Sequence, residues 1–261
     1  MDETMNKPRV VLVGLASCFG CQINLTNAEA HLMDILNQVD MQYWQLTSSD
    51  PLPEEFDIAI IEGAVTTEEA AETVKALRDK AKTVITIGSC ANTGGIPGMA
   101  ADGAGFEANT ALVYGDAVPS AAGDMRAPGA VKDYIRVDYE VPCCPVEPLA
   151  FAQVLHHALY GSNAQHLTST LCGECKHNER GCFYEGGVLC LGMVTRSGCG
   201  ARCPSLGRPC KGCAGISPDA NVKGARMVSA SYGVDGDRFD EVLSIFNHSH
   251  ADEAAVPADE G

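Results

Sequence analysis

At 261 residues and 46% hydrophobic, the chain is long enough for one ordinary core plus a smaller second unit. A net charge of −16 argues against a nucleic acid or an anionic membrane as partner, because both require a surplus of Lys and Arg on some face. No apolar stretch approaches the roughly 20 residues of a membrane-spanning helix, since Gly, Pro or charge interrupts every candidate.

The first 18 residues contain only a brief apolar run, with no twin-arginine pair and no small-residue cleavage site, which predicts a cytoplasmic chain. Residues 9–15 form a β-branched run, 26–39 are helical in pattern, and 41–46 return to strand. Residues 57–62 (DIAIIE) predict a buried strand, and 66–80 an amphipathic helix with Thr66 or Thr67 as N-cap and Glu68 and Glu69 in its first turn. Residues 83–87 (TVITI) predict another buried strand, the Gly/Ala-rich stretch 91–128 a loop, 134–141 a further strand and 146–160 a helix.

Short apolar strands alternating with helices predict an α/β, flavodoxin-like, doubly wound parallel sheet over residues 1–165. Residues 166–230 form a small irregular cysteine-rich domain in this reading, and 231–261 a C-terminal helix followed by a disordered acidic tail. Between residues 171 and 213 there are eight cysteines and almost no hydrophobic periodicity. A segment of about 40 residues with so little core requires metal or disulfides to hold its shape, and a reducing compartment disfavours disulfides. Metal is therefore expected to organise it.

The thirteen cysteines fall into two groups. Cys18 and Cys21 (SCFGCQ), Cys90 (GSCANTG) and one of Cys143 and Cys144 (VPCCPVEP) lie beyond strand ends. Open α/β sheets place their ligand crevices along that carboxyl edge. A lone cysteine often packs as a small hydrophobe, but glycine or proline beside each of these supplies tight backbone and exposed amides suited to an anionic cluster. The other eight divide in sequence into Cys172, Cys175, Cys182, Cys190 and Cys199, Cys203, Cys210, Cys213. Each set contains a C-x2-C pair, and zinc accepts the same ligands. The stretch 171–213 carries six Lys/Arg against three Glu, so it is net +3 while the rest carries −19. Such basic surroundings offset anionic clusters and raise their potentials. The spacing differs from the C-x2-C-x2-C-x3-C-P run of bacterial ferredoxins.

With ASCFGCQINLTN, IEGAV, IGSCANTGGIP, VPCCPVEP and CLGMVTRSGCGARCPSLGRPCKGCAGI, the chain resembles the small subunits of cytoplasmic NiFe hydrogenases, in particular the methyl-viologen-reducing, sulfhydrogenase and NAD(P)-linked types. The resemblance implies three 4Fe-4S clusters. Cys18, Cys21, Cys90 and Cys144 would bind the proximal one, facing a large subunit that holds nickel and iron; the other eight cysteines would bind the medial and distal clusters. It implies an oxidoreductase subunit whose hydrogen-activating site is on another chain, with an electron-acceptor subunit of flavin or iron-sulfur type as second partner. Cys172 stands where the best-known periplasmic members have a histidine, Cys203 adds a fourth medial thiolate, and Cys143 replaces a usual glycine.

The iron-sulfur subunit of respiratory complex I shares the cluster-binding domain, but begins with adjacent cysteines and lacks the eight-cysteine extension. A zinc-stapled interaction subunit is the other alternative. GSCANTGGIPG lacks the Lys-Ser/Thr of a phosphate loop and GLASCFG is not GxGxxG, so no nucleotide site is expected. His177 is a candidate hydrogen-bond donor to a cluster sulfur. Glu62, at a buried strand end, is expected to order the first cysteine loop.

Overall fold

The computed structural model describes residues 7–28, 30–101, 105–115, 124–162, 168–176, 179 and 181–248. Along the chain come β1 (Arg9–Gly14), α1 (Gly20–Thr26), α2 (Ala30–Gln38), β2 (Asp40–Trp44), β3 (Ile58–Glu62), β4 (Val65–Thr67), α3 (Glu68–Lys80) and β5 (Thr83–Ile87). They are followed by α4 (Gly88–Thr93), α5 (Gly95–Gly98), α6 (Phe106–Tyr114), β6 (Met125–Gly129), β7 (Tyr139–Val141) and α7 (Pro148–Leu159). Five strands form a parallel sheet in the order β2-β1-β3-β5-β7. Numbered along the chain, this is the 2-1-3-4-5 order of flavodoxin-like folds, with its switch point between β1 and β3.

The central strands are apolar throughout because both sheet faces are covered. Alternate residues serve opposite cores: Ile58, Ile60, Ile85 and Ile87 pack with Phe151 and Leu155 of α7, whereas Ala59, Ile61 and Val84 pack with Ala71, Val74 and Leu77 of α3. Helix α3 starts where Thr67 accepts the Ala70 N–H at 3.1 Å. Glu68 and Glu69 lie at its amino end, and Arg78 and Lys80 at its carboxyl end, each complementing the helix dipole.

Three expectations are corrected. The helix over 26–39 is two helices, α1 ending at Thr26 with a turn at residues 27–28 and α2 spanning Ala30–Gln38; one continuing apolar pattern conceals the break. The stretch 91–128 is not a loop: it contains the second half of α4, together with α5, α6 and most of β6, pieces too short or too evenly apolar to show a period. The strand over 134–141 shrinks to Tyr139–Val141. Ahead of it Asp133 accepts the Ala130 N–H at 2.8 Å to form a turn, and the Asp138 carboxylate takes the Val84 N–H at 2.8 Å.

Beyond the sheet lie α8 (Cys172–Cys175), α9 (Arg202–Ser205), α10 (Val222–Ser231) and α11 (Gly236–Asn247). Leu191 and Val194 form a small core with Ala225, Phe239, Val242 and Leu243, so the terminal helices roof the cysteine-rich stretch. Helix α11 also reaches the sheet unit, where Thr93 Oγ1 hydrogen-bonds the Phe246 carbonyl. The tail and His177 lie outside the described residues.

Candidate functional site

The loops after β1 and β3 are zipped together. Leu15 donates to the Glu62 carbonyl at 2.7 Å, while Ala16 and Ala64 exchange backbone hydrogen bonds. Gly63, at φ +102°, permits this approach, since a Cβ there would stand 2.7 Å from the Leu15 carbonyl carbon. Phe19 takes a left-handed conformation between Cys18 and Cys21, turning the chain into α1. The Cys21 N–H donates to Glu62 Oε1 at 3.1 Å, and Cys21 Sγ accepts the Val146 N–H at 3.4 Å. Glu62 is thus buried with one oxygen on the cysteine loop, and its Oε2 has no partner among the described residues.

Cys90 rises on α4 directly after β5, and Cys144 follows β7, so separate chain segments deliver their thiols to one sheet edge. Burial pushes the Cys90 thiol up to about 11, with added repulsion from Cys144, Cys18 and Glu62. Burial likewise raises Cys144 to about 11, reinforced by Cys213, Cys18 and Glu62. Burial raises Cys21 as well, with Glu62, Cys144 and Cys90 adding to it. Cys90 and Cys144 thus each lie near Cys18 and Glu62, and Cys21 lies near Cys90 and Cys144. At Gly88, φ +82°, a Cβ would sit 2.5 Å from Cys21 Sγ, so glycine is what lets the thiol lie this close to the backbone.

Cys172, Cys175, Cys182 and Cys190 line a cavity of about 280 Å³ together with Phe183, Tyr184 and Met193. That volume is several times the ~30 Å³ share of a water molecule. Burial pushes Cys172 up to about 11, with Cys190, Cys175 and Cys182 adding to it. A Cβ on Gly192 would lie 3.5 Å from Cys172 Sγ and 3.7 Å from Cys190 Sγ, at the limit of ordinary contact.

The remaining set is coupled through space as well. Burial raises Cys203, with Cys213 and Cys199 adding to the effect. Burial also takes Cys210 up to about 12, opposed by hydrogen bonds with Thr195 and Gly212. The two sets adjoin where the Cys210 N–H meets Cys190 Sγ at 3.3 Å. Glu174, within the CGEC helix, braces them by accepting the Gly198 and Ala201 N–H groups at 2.7 and 3.3 Å. Sequence reading counted Glu174 only as a charge; its place between two predicted ligands was the available signal. Arg196, on Glu140 at 3.3 Å, ties this region to β7 and was also missed.

Adjacent Cys143 and Cys144 diverge. Cys144 lies near Cys213, Cys18 and Glu62, whereas Cys143, at φ +91°, lies near Cys199 and Cys213. The Cys144–Pro145 bond is cis. Ser89 links the junction, donating its N–H to the Cys143 carbonyl at 3.0 Å and its hydroxyl to the Cys213 carbonyl.

Among the described residues, no three His, Cys, Asp or Glu side chains converge tightly enough for one ion. A cubane holds its four thiolates farther apart than a tetrahedral ion does. The cavity lined by Cys172, Cys175, Cys182 and Cys190 is larger than a single ion needs, and four thiols around it fit an iron-sulfur cluster better than one zinc ion.

The family described as NADH ubiquinone oxidoreductase, 20 Kd subunit, matches residues 18–158. A vhu subunit of the F420-non-reducing hydrogenase of Methanocaldococcus jannaschii is 32% identical, covering 85% of this chain and 86% of that one. Sulfhydrogenase 2 subunit delta of Pyrococcus furiosus is 34% identical over 80% of this chain and 87% of its own. A chain in the crystal structure of an NAD+-reducing [NiFe]-hydrogenase in the H2-reduced state superposes with a TM-score of 0.50 at 28% identity, covering 60% of this chain and 94% of that chain.

Proposed function

The chain belongs to the NADH ubiquinone oxidoreductase 20 Kd subunit family and is a NiFe hydrogenase small-subunit-like chain, an oxidoreductase subunit; on that premise we propose that it relays electrons between a large subunit's hydrogen-activating site and an acceptor module through three 4Fe-4S clusters. What supports this reading is that thiols distant in sequence lie near one another: Cys90 near Cys144 and Cys18, Cys172 near Cys175, Cys182 and Cys190, and Cys203 near Cys199 and Cys213, with Cys210 against Cys190. Cys18, Cys21, Cys90 and Cys144 would hold the proximal cluster, Cys199, Cys203, Cys210 and Cys213 the medial, and Cys172, Cys175, Cys182 and Cys190 the distal. Each cluster, when bound, supplies a one-electron couple.

The protein's part is to position and insulate. The zipped loops fix Cys18 and Cys21, and Glu62 holds the Cys21 amide in place. Phe183, Tyr184 and Met193 give the outer set an apolar lining, while Lys176 beside the same cavity would offset negative charge. These roles belong to the division at about residues 165 and 230, with α11 binding the cysteine-rich unit to the sheet.

Partners are supported by exposed apolar side chains. Ile23 follows Cys21, and Ile96 and Met99 follow Cys90; Leu112 and Val113 stand 85% and 70% exposed on α6, which buries none of its residues. A large subunit covering this edge would bury them, forming an obligate interface of more than about 2,000 Å². Val188, Leu206 and Met227 are exposed in the cysteine-rich and α10 part, where an acceptor subunit of flavin or iron-sulfur type would dock. No described helix is long and apolar enough to cross a membrane, and the proposed site of action is the cytoplasm.

Cys199→Ser in the assembled complex tests the relay. Reduction of the natural acceptor should fall while hydrogen–deuterium exchange at the large subunit persists. Equal loss of both activities, with assembly intact, would contradict the relay.

A further inference from the structure

A cavity of about 320 Å³ lies on the seam where the sheet unit, the cysteine-rich stretch and α11 meet, and its described wall contains no cysteine. That volume reaches the range of small-molecule sites, which begins at about 300 Å³. Asn92 of α4 and Asn247 of α11 line it at 3% and 1% exposure. The amide nitrogen of Asn92 donates to the Val141 carbonyl at 3.0 Å, and that of Asn247 to the Gly212 and Leu243 carbonyls at 3.3 and 3.0 Å. These bonds fix which way each amide is turned, because a flip would set its oxygen against a carbonyl oxygen. Each Oδ1 is left without a partner among the described residues, and so is the buried Nε of Arg196 on the same wall. Charge is unbalanced as well. Lys132 at 3.4 Å and Arg196 at 3.3 Å share the one carboxylate of Glu140, and the described wall holds no other charged side chain.

We propose that this cavity binds a small hydroxylated anion, its acidic head on Arg196 and Lys132 and its hydroxyls donating to the Asn92 and Asn247 side-chain oxygens. Buried donors and acceptors left unpaired are costly, so the site requires an occupant that plays both roles. Water plays both but leaves the surplus positive charge. A plain anion balances the charge but has no hydrogen for the two amide oxygens. A carboxylate or phosphate monoester that carries hydroxyl groups meets both requirements, and the cavity, roughly ten times the ~30 Å³ share of one water, has room for it. Asn92, Lys132 and Glu140 belong to the sheet unit and Arg196 to the cysteine-rich stretch, so an occupant would also tie the two together. None of these residues is a proposed cluster ligand, and the site stands whether or not the cluster reading does.

Isothermal titration calorimetry of the anaerobically purified complex tests this with glycerate, glycerol 3-phosphate, sulfate and glycerol as probes. Glycerate or glycerol 3-phosphate should bind, the tighter of the two identifying the head as carboxylate or phosphate. Hydroxyl-free sulfate and uncharged glycerol should bind more weakly by about tenfold or more. Lys132→Gln and Arg196→Gln should each weaken the binding of the hydroxylated anion by about tenfold. Glu140→Gln, which removes the competing carboxylate at constant size, should tighten it, a gain that misfolding cannot imitate. Anion sites on partner subunits would not respond to substitutions in this chain. The proposal would be overturned by the absence of binding of either hydroxylated anion at millimolar concentration, which leaves water as the occupant, or by sulfate binding as tightly as they do. Unchanged affinity in both Lys132→Gln and Glu140→Gln would also overturn it.

Discussion

The sheet unit and the cysteine-rich stretch are held together in opposite ways. In β3 all five residues are buried, and the two sheet faces are packed by separate apolar clusters. Between residues 171 and 213 the helices are single turns, and one of the clusters around them includes the thiols Cys190 and Cys210. A sheet unit of this kind gains its stability chiefly from apolar burial. The cysteine-rich stretch places four of its thiols around a cavity, so on the proposed reading its order is linked to binding of the group held there.

Removing iron should break the comparison most visibly. Amide exchange of the metal-free chain, followed by mass spectrometry, should show protection lost through residues 171–213 but retained in β1, β3 and β5. Uniform loss would mean that the sheet also depends on metal. A narrower effect is expected from Gly88→Ala, whose new Cβ would stand 2.5 Å from Cys21 Sγ at a φ of +82°. That variant should lose the first set's share of iron, about one third, and leave the other two sets loaded. Full iron retention would show that the space beside Cys21 is not a cluster site.

The smallest effect lies at the far end of the sheet. Asp57 accepts the Arg9 N–H at 2.9 Å and pairs with Lys82 at 3.0 Å, pinning the starts of β1, β3 and β5. The Arg9 amide chiefly holds its carboxyl below the ordinary 3.8. A depressed folded pKa means that this stabilisation is present above pH 3.8 and is lost as the pH falls through the lowered value. Asp57→Asn should cost about 1 kcal/mol in chemical denaturation at neutral pH, with the difference narrowing in acid. Iron content should not change.

The same contrast explains what the sequence made legible. Strands such as IAIIE and TVITI are visible because burial on both faces leaves an unbroken apolar run, and the cap at Thr67 is visible because its oxygen has a local task. Helices α4 and α5 are hidden because glycines at positive φ divide them into pieces shorter than a hydrophobic period. At the site, spacing and strand ends suffice to group the cysteines. The parts that elude a sequence reading depend on contacts between distant segments. Glu174 bracing the Cys199 loop and Ser89 joining Cys143 to Cys213 belong here, because nothing in their local pattern marks them. The divergence of Cys143 and Cys144 is an intermediate case. Alternation along an extended chain argues that adjacent thiols face apart, but only the fold reveals that Cys143 meets the second set.

The central claim is that these thiols hold three four-iron clusters, and the most direct measurement is iron and zinc analysis of the anaerobically purified complex combined with Mössbauer spectroscopy. The account predicts about twelve irons on this chain, all in cubane clusters, with negligible zinc. A colourless, zinc-loaded chain in a complex that retains its native activity would contradict it.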